Sequence, residues 1–124
     1  MQATETIGAL MAAAIIEDEA ERLAKIRGLV ASDFTFVNPG FMTEGPEALS
    51  DAFGRFMAYL DGAVTVVRTC ELDFHHDHFR YTWARYQEDE IAMEGCDFGW
   101  ADDTGRLKRL VTFDQVLPPY YPGA

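Results

Sequence analysis

The segment "FRYTWARYQEDEIAMEGCDFGW", Phe79–Trp100, decides the fold because it contains two long strand patterns joined by a short polar turn. In its first half, Phe79, Tyr81 and Trp83 alternate with smaller or polar residues, which is the period of a strand with one buried face. The second half is an apolar run interrupted by Asp97. Because the turn "QEDE" is so short, the two strands are predicted to pair in antiparallel fashion.

Asp97 is the unusual residue of this hairpin, since a carboxylate rarely stands inside a core strand. Gly95, Asp97 and Gly99 share one strand face, and glycine inside a strand usually marks a bulge or a close approach by another group. We interpret the two glycines as clearance that lets a ligand reach the Asp97 carboxyl group. Apolar surroundings would raise its pKa and suit it to acid/base work. The alternative is a structural aspartate bonded to Trp83, Asn38 or the backbone.

The rest of the chain shows helical patterns first and strand patterns later. Two helices are predicted within residues 4–30, separated by the acidic run 17–19, and a third begins at Pro46 and stops near Gly62. A short strand at 33–40 precedes the third helix. Four further strands are predicted as an antiparallel meander, covering residues 63–74, 79–86, 91–100 and 107–117.

This order predicts a single α+β domain over residues 1–124, in which three N-terminal helices pack on a curved, mixed, mainly antiparallel sheet. Such a sheet forms a cone with one open mouth, a natural site for a small ligand. Its predicted apolar lining comes from strand and helix residues, namely Phe36, Phe53, Phe56 and Met57. Tyr81 and Trp83 are predicted to line the same space, with plain core or a dimer face as the alternative. Asn38 either orients a ligand or caps the turn before Pro39.

Composition and charge limit the partners. With 10 basic and 21 acidic residues, the formal net charge is −11, so nucleic acid and anionic membranes are not expected as partners. The N-terminus has no basic segment before its apolar run, which predicts a cytoplasmic protein. Cys70 and Cys96 are expected to be reduced, buried and structural. The "HHDH" run, residues 75–78, is not expected to bind metal, because alternate residues at a hairpin tip face opposite ways.

Four segments, "ASDFTFVNPG", "EGPEAL", "FRYTW" and "EGCDFGWADDTGRL", resemble the NTF2-like superfamily of cystatin-like fold, in particular SnoaL-like and ketosteroid-isomerase-like proteins. The resemblance runs from about Ile7 to Leu117. It implies that Asp97, eight residues before Gly105, stands where ketosteroid isomerases carry their oxyanion-hole aspartate. Their general base would be at Asn38, an amide without useful basicity, and their first-helix tyrosine has no counterpart before Tyr59.

These observations predict a protein that binds a small hydrophobic molecule without a cofactor. Asp97 is the candidate catalytic residue for an isomerase, cyclase or hydratase type of reaction, and Asp114 is the only other acid considered. The alternative is a non-catalytic binding or assembly module, whose cavity would be plugged by Trp83 and Phe56. The resemblance also implies a homodimer formed through the outer face of the sheet.

Overall fold

The structure, a computed structural model, describes residues 3–60, 62–114 and 122–123. Its helices are α1 (Ala3–Ala14), α2 (Glu19–Leu29) and α3 (Pro46–Ala58). Its strands are β1 (Val30–Val37), β2 (Met42–Glu44), β3 (Val64–Arg68), β4 (Asp73–His75), β5 (His78–Gln87), β6 (Glu90–Ala101) and β7 (Leu107–Phe113). The α+β prediction is confirmed. The predicted end of the last strand, residues 115–117, and most of the predicted tail lie outside the described residues.

The seven strands form one sheet in the order β2-β1-β7-β6-β5-β3, with β4 added beside β5. β1 pairs with β7 in parallel, and the other pairs are antiparallel. The prediction of a mixed, mainly antiparallel sheet is therefore confirmed. The sheet does not close into a barrel, because β2 and β3 remain at its two ends.

The helix boundaries follow local capping chemistry. The predicted break between the first two helices is present, and Asp18 Oδ2 accepts the Glu21 N–H at 2.8 Å as the N-cap of α2. Pro46 opens α3 as predicted, where its missing N–H costs nothing. The predicted stop near Gly62 is wrong, because α3 ends at Ala58 in a tighter turn that bonds the Tyr59 N–H to the Phe56 carbonyl.

The strand predicted over residues 63–74 is wrong in one respect, since it is divided into β3 and β4. The Thr69 N–H still bonds the Thr82 carbonyl, but the Thr82 N–H donates to Cys70 Sγ at 3.2 Å instead of to a backbone carbonyl. This sulfur interrupts the ladder. Cys70 is exposed and Cys96 is half-buried, so the expectation that both cysteines are buried is wrong. The three-residue strand β2 was not predicted.

The helices pack on one face of the sheet, where they form a single core. Its members come from all three helices and from β1, β5 and β7, and its largest side chains are Phe34, Phe36, Phe79, Tyr81 and Trp83. Inside this layer Arg22 is buried, and its Nε donates to the carbonyl and the Oγ of Ser50 at 3.0 Å. Its Nη1 donates to the Ile16 carbonyl at 2.9 Å. Arg22 thereby fixes the chain just after α1 against α3.

Candidate functional site

A cavity of about 320 Å³ lies between α1, α3 and the inner face of the sheet. Most of its lining is aliphatic or aromatic, and the polar exceptions are Asn38, Tyr81, Arg85, Asp97, Thr112 and Asp114. This composition, an apolar wall with a few convergent polar groups, is typical of small-molecule sites. The volume is roughly twice the ~150 Å³ of an apolar cavity that holds benzene. The space therefore suits a molecule of about two rings.

Asp97 forms the polar floor of this cavity together with two donors from the neighbouring strand. The Tyr81 hydroxyl donates to Asp97 Oδ2 at 2.6 Å, and Trp83 Nε1 donates to Oδ1 at 2.8 Å. Tyr81 and Asp97 are directly opposite each other in the β5–β6 ladder, so their side chains emerge on the same face. Asp97 is only 7% exposed, and each of its carboxylate oxygens accepts a hydrogen bond.

Gly95 explains why Trp83 reaches Asp97. These two residues are cross-strand partners, and a Cβ atom on Gly95 would collide with the Trp83 indole and with the Phe113 carbonyl. The indole thus lies across the bare backbone of Gly95, aiming its N–H at Asp97. Our interpretation of the glycines as clearance for a ligand is therefore wrong. At Gly95 the space is filled by the indole, and at Gly99 the backbone of Arg109 comes close.

Opposing effects act on the pKa of the Asp97 carboxyl group. Desolvation raises the pKa of Asp97, hydrogen bonds from Tyr81, Thr112 and Trp83 lower it, the charge of Asp114 raises it, and the net direction is upward. Burial, and then the charge of Asp97, raises the pKa of the Tyr81 phenol well above its ordinary value. Tyr81 therefore remains a neutral donor, while Asp97 holds a proton at higher pH than an exposed aspartate does.

Asn38 lines the cavity, but its amide oxygen serves the turn that follows β1. Oδ1 accepts the N–H of Gly40 at 2.8 Å and that of Phe41 at 3.0 Å. The Asn38 backbone N–H bonds the Phe41 carbonyl at 3.0 Å, which closes the same turn. The position at which the sequence resemblance expects a general base thus has a turn-forming amide.

Asp114 lies directly after β7 and faces the cavity with Thr112. Among the described residues, no hydrogen-bond or ion-pair partner is present for its carboxylate. Asp114 comes two residues after Thr112, the cross-strand partner of Asp97, so the two acids are diagonal neighbours on the inner face. One mostly apolar space therefore contains a hydrogen-bonded carboxyl group with a raised pKa and a second carboxylate that has no partner within the described residues.

All eight residues singled out from the sequence line this one cavity: Phe36, Asn38, Phe53, Phe56, Met57, Tyr81, Trp83 and Asp97. Sequence reasoning missed Arg85 and Thr112 and the wall contributed by α1. Arg85 was detectable, because it continues the alternation of Tyr81 and Trp83 on the same strand face. Thr112 gave no such signal, since its face depends on the register of β7.

The histidine-rich run forms the tight turn between β4 and β5. His76 and Asp77 adopt φ values of 47° and 63°, as two-residue hairpin turns of this hand require. Within residues 3–60, 62–114 and 122–123, no group of three or more His, Cys, Asp or Glu side chains is placed to hold a metal ion.

Solved structures resemble this architecture along nearly the whole chain. A SnoaL-like family protein from Agrobacterium tumefaciens, whose name proposes an isomerase, superimposes with a TM-score of 0.83 at 20% identity, covering 91% of this chain and 97% of that one. The chain has the NTF2-like fold. An NTF2-like protein of unknown function from Cytophaga hutchinsonii has a TM-score of 0.67 at 10% identity, covering 93% of this chain and 91% of that one.

A third neighbour of this NTF2-like chain has a ketosteroid-isomerase-like fold. This protein from Catenulispora acidiphila, solved with trimethylamine, has a TM-score of 0.69 at 17% identity, covering 90% of this chain and 86% of that one. The predicted resemblance is thus confirmed at the level of the fold, which hosts many unrelated chemistries. No family model matches the sequence, and no curated protein matches it. None of the helices described is long and apolar enough to cross a membrane.

Proposed function

We propose that this NTF2-like protein binds a small, largely hydrophobic molecule in the cavity and catalyses a cofactor-free proton transfer on it. The observation that carries the proposal is the closeness of Asp97 and Asp114 on the inner face of the sheet, in a mostly apolar cavity. A raised pKa suits Asp97 to donate a hydrogen bond or a proton to a ligand oxygen, and Tyr81 and Trp83 hold it in position. Isomerisation, cyclisation and hydration all use such a step.

Asp114 takes the role of general base, which Asn38 cannot perform. The Asp114 carboxylate, which has no hydrogen-bond partner in the part of the chain that the structure describes, would accept a proton from a carbon next to a carbonyl group. The electrons of the broken C–H bond move toward the carbonyl oxygen, where Asp97 stabilises the enol. The cavity is also open instead of being plugged by Trp83 and Phe56, so the purely structural alternative is not favoured.

Hydrogen–deuterium exchange tests this reaction without knowledge of the natural substrate. The probe is 2-tetralone, a two-ring ketone, incubated in D₂O and followed by NMR for loss of its α-protons. We expect exchange above the buffer rate, reduced about 10²-fold or more in Asp114→Asn and in Asp97→Asn, the usual range for loss of an acid/base or oxyanion group.

The matched control is Asp51→Asn, which removes an exposed α3 carboxylate paired with Arg55 and should leave the exchange unchanged. Wild-type exchange at the buffer rate, with 2-tetralone binding shown by a raised melting temperature, would make the protein a binder without this catalysis. An active Asp97→Asn variant would remove Asp97 from the mechanism. Because one structural neighbour contains trimethylamine, small amines belong in the binding panel.

We also propose a homodimer formed through the outer face of the sheet. Phe98 and Phe113 stack there with ring centroids 6.2 Å apart and remain 42% and 50% exposed in the single chain. Exposed aromatic pairs are a common feature of protein interfaces. A cytoplasmic location is proposed as well, supported by the free thiols of Cys70 and Cys96.

A further inference from the structure

Arg85 places a positive charge in the cavity at a distance from the two acids. It emerges on the same face of β5 as Trp83, between Val66 on β3 and Met93 on β6, all of which line the cavity. Its guanidinium carbon lies 5.2 Å from the ring centroid of Phe56 on α3. Phe56 is 41% exposed, so this pair stands where the cavity meets solvent.

The Nε–H group of Arg85 is not bonded by any residue that the structure describes. Its Nε is shielded from solvent and has no hydrogen-bond partner, and no carboxylate among the described residues forms an ion pair with it. The buried Arg22, in contrast, is bonded to backbone and hydroxyl oxygens. A shielded N–H without a partner is costly, and the contact with Phe56 compensates only part of that cost. The unpaired Nε–H of Arg85 therefore indicates that a ligand supplies its acceptor.

We propose that the cavity selects hydrophobic molecules that carry a carboxylate, and that Arg85 binds this carboxylate at the mouth. The inference rests on the proposed function, since it names the substrate class of the same site. A guanidinium presents two parallel N–H groups that match a carboxylate, and Phe56 fixes its plane. In the part of the chain that the structure describes, no backbone or side-chain acceptor bonds the Arg85 guanidinium.

The position of Arg85 also orients the ligand. Its cross-strand partner Met93 is four residues from Asp97 along β6, roughly 13 Å at the rise of a strand. The cation is thus well separated from Asp97 along the cavity, and Asp114, two residues past the Asp97 partner Thr112, lies between their levels. A molecule held by its carboxylate at Arg85 extends its apolar body between the aromatic walls toward Asp97, and the Asp114 carboxylate would repel a ligand carboxylate placed in the opposite orientation.

Three probes of the same size and different charge test the proposal: 2-naphthoate, 2-naphthalenemethanol and 2-naphthylmethylamine. Affinities are measured by calorimetry at neutral pH with the wild type, Arg85→Met and Arg85→Lys. We expect the wild type to bind the carboxylate about tenfold or more tightly than the alcohol. Arg85→Met should bind the two equally, and Arg85→Lys, which keeps the charge but loses the fork, should retain part of the preference.

Arg109→Met is the matched control, because Arg109 also stacks on an aromatic ring, that of Trp100 at 5.9 Å, but on the outer face of the sheet. This variant should keep the full preference. Equal wild-type affinity for carboxylate and alcohol, tightest binding of the amine, or an undiminished preference in Arg85→Met would each overturn the carboxylate selection while leaving the cavity as a binding site. Failure of all three probes to bind the wild type would overturn the proposed function and this inference together.

Discussion

At the scale of single residues, the decisive feature is a carboxyl group whose two oxygens are both engaged by neighbours. Asp97 resembles the oxyanion-hole aspartate of ketosteroid isomerases in sequence position, but Tyr81 and Trp83 come from the adjacent strand of the same hairpin. Both hydrogen-bond donors to Asp97 thus come from the strand next to it in the sequence and in the sheet. The phenol that those enzymes place on their first helix has no counterpart there in this chain.

The raised pKa of Asp97 predicts a pH dependence of stability with a definite sign. Between its raised folded value and the ordinary 3.8, the folded protein binds more protons than the unfolded chain, so the free energy of unfolding rises as pH falls through this window. Asp97→Asn removes this titration. We therefore expect the wild type to gain stability relative to Asp97→Asn between neutral pH and about pH 4, measured by urea unfolding.

Asp33→Asn provides the contrasting control. The hydrogen bond from Lys108 lowers the pKa of the exposed Asp33 carboxyl, so its contribution is fully present above the unfolded pKa and is lost only as pH falls below it. The difference between the wild type and Asp33→Asn should therefore stay flat from neutral pH to about pH 5. A difference for Asp97→Asn that is equally flat would show that burial does not shift Asp97.

At the scale of elements, the cavity floor depends on how β5 and β6 pack side chain against backbone. Trp83 can lie across β6 only because its cross-strand partner has no Cβ atom. Strand β5 also shows how a side chain changes a strand boundary. The Thr82 N–H donates to Cys70 Sγ, which lies between β3 and β4 and separates them. Neither effect is visible in strand propensity.

Gly95→Ala is predicted to destabilise the protein and to displace Trp83. The added methyl group meets both the indole and the Phe113 carbonyl, and overpacking of this kind costs about 1–3 kcal/mol. Urea unfolding measures the loss, and tryptophan fluorescence reports the changed environment of the indole. The Trp83–Asp97 hydrogen bond should lengthen or break with it.

Gly28→Ala is the matched control, because Gly28 lies inside α2 and an added Cβ meets nothing within 4 Å. Alanine at such a helical position should stabilise the protein by about 0.5–1 kcal/mol. If Gly95→Ala were as stable as Gly28→Ala, the close packing of Trp83 on β6 would be refuted.

At the scale of the whole molecule, the helices cover one face of the sheet and leave the other to solvent. Phe98 and Phe113 are large apolar side chains on that outer face. Phe98→Glu is predicted to convert the proposed homodimer into a monomer, because it places a charge in each copy of a two-fold interface. Light scattering coupled to size-exclusion chromatography measures the mass.

Tyr59→Glu is the control for this prediction, since Tyr59 is 87% exposed at the end of α3 and lies away from the outer sheet face. It should leave the mass of the dimer unchanged. A wild type that runs as a monomer, or a Phe98→Glu variant that remains dimeric, would rule out the outer face as the interface.

The sequence by itself determined the order of the three helices and the long strands, the α+β class and the shared inner face of Tyr81, Trp83 and Asp97. These features follow from local periodicity and from short connections, so no distant residue is needed to predict them. The eight predicted site residues line one cavity because strand alternation and helical spacing already assign them to inner faces.

Only the tertiary structure decided what each polar group does there. Whether Gly95 is open or covered depends on Trp83, and whether Asn38 is free depends on the turn to Phe41. The tertiary structure also brings Arg85 and Asp114 into the same cavity. Periodicity predicts which face of a strand or helix a side chain lies on, but not which group it bonds or packs against. That partner is set by strand register and side-chain packing between segments far apart in the chain.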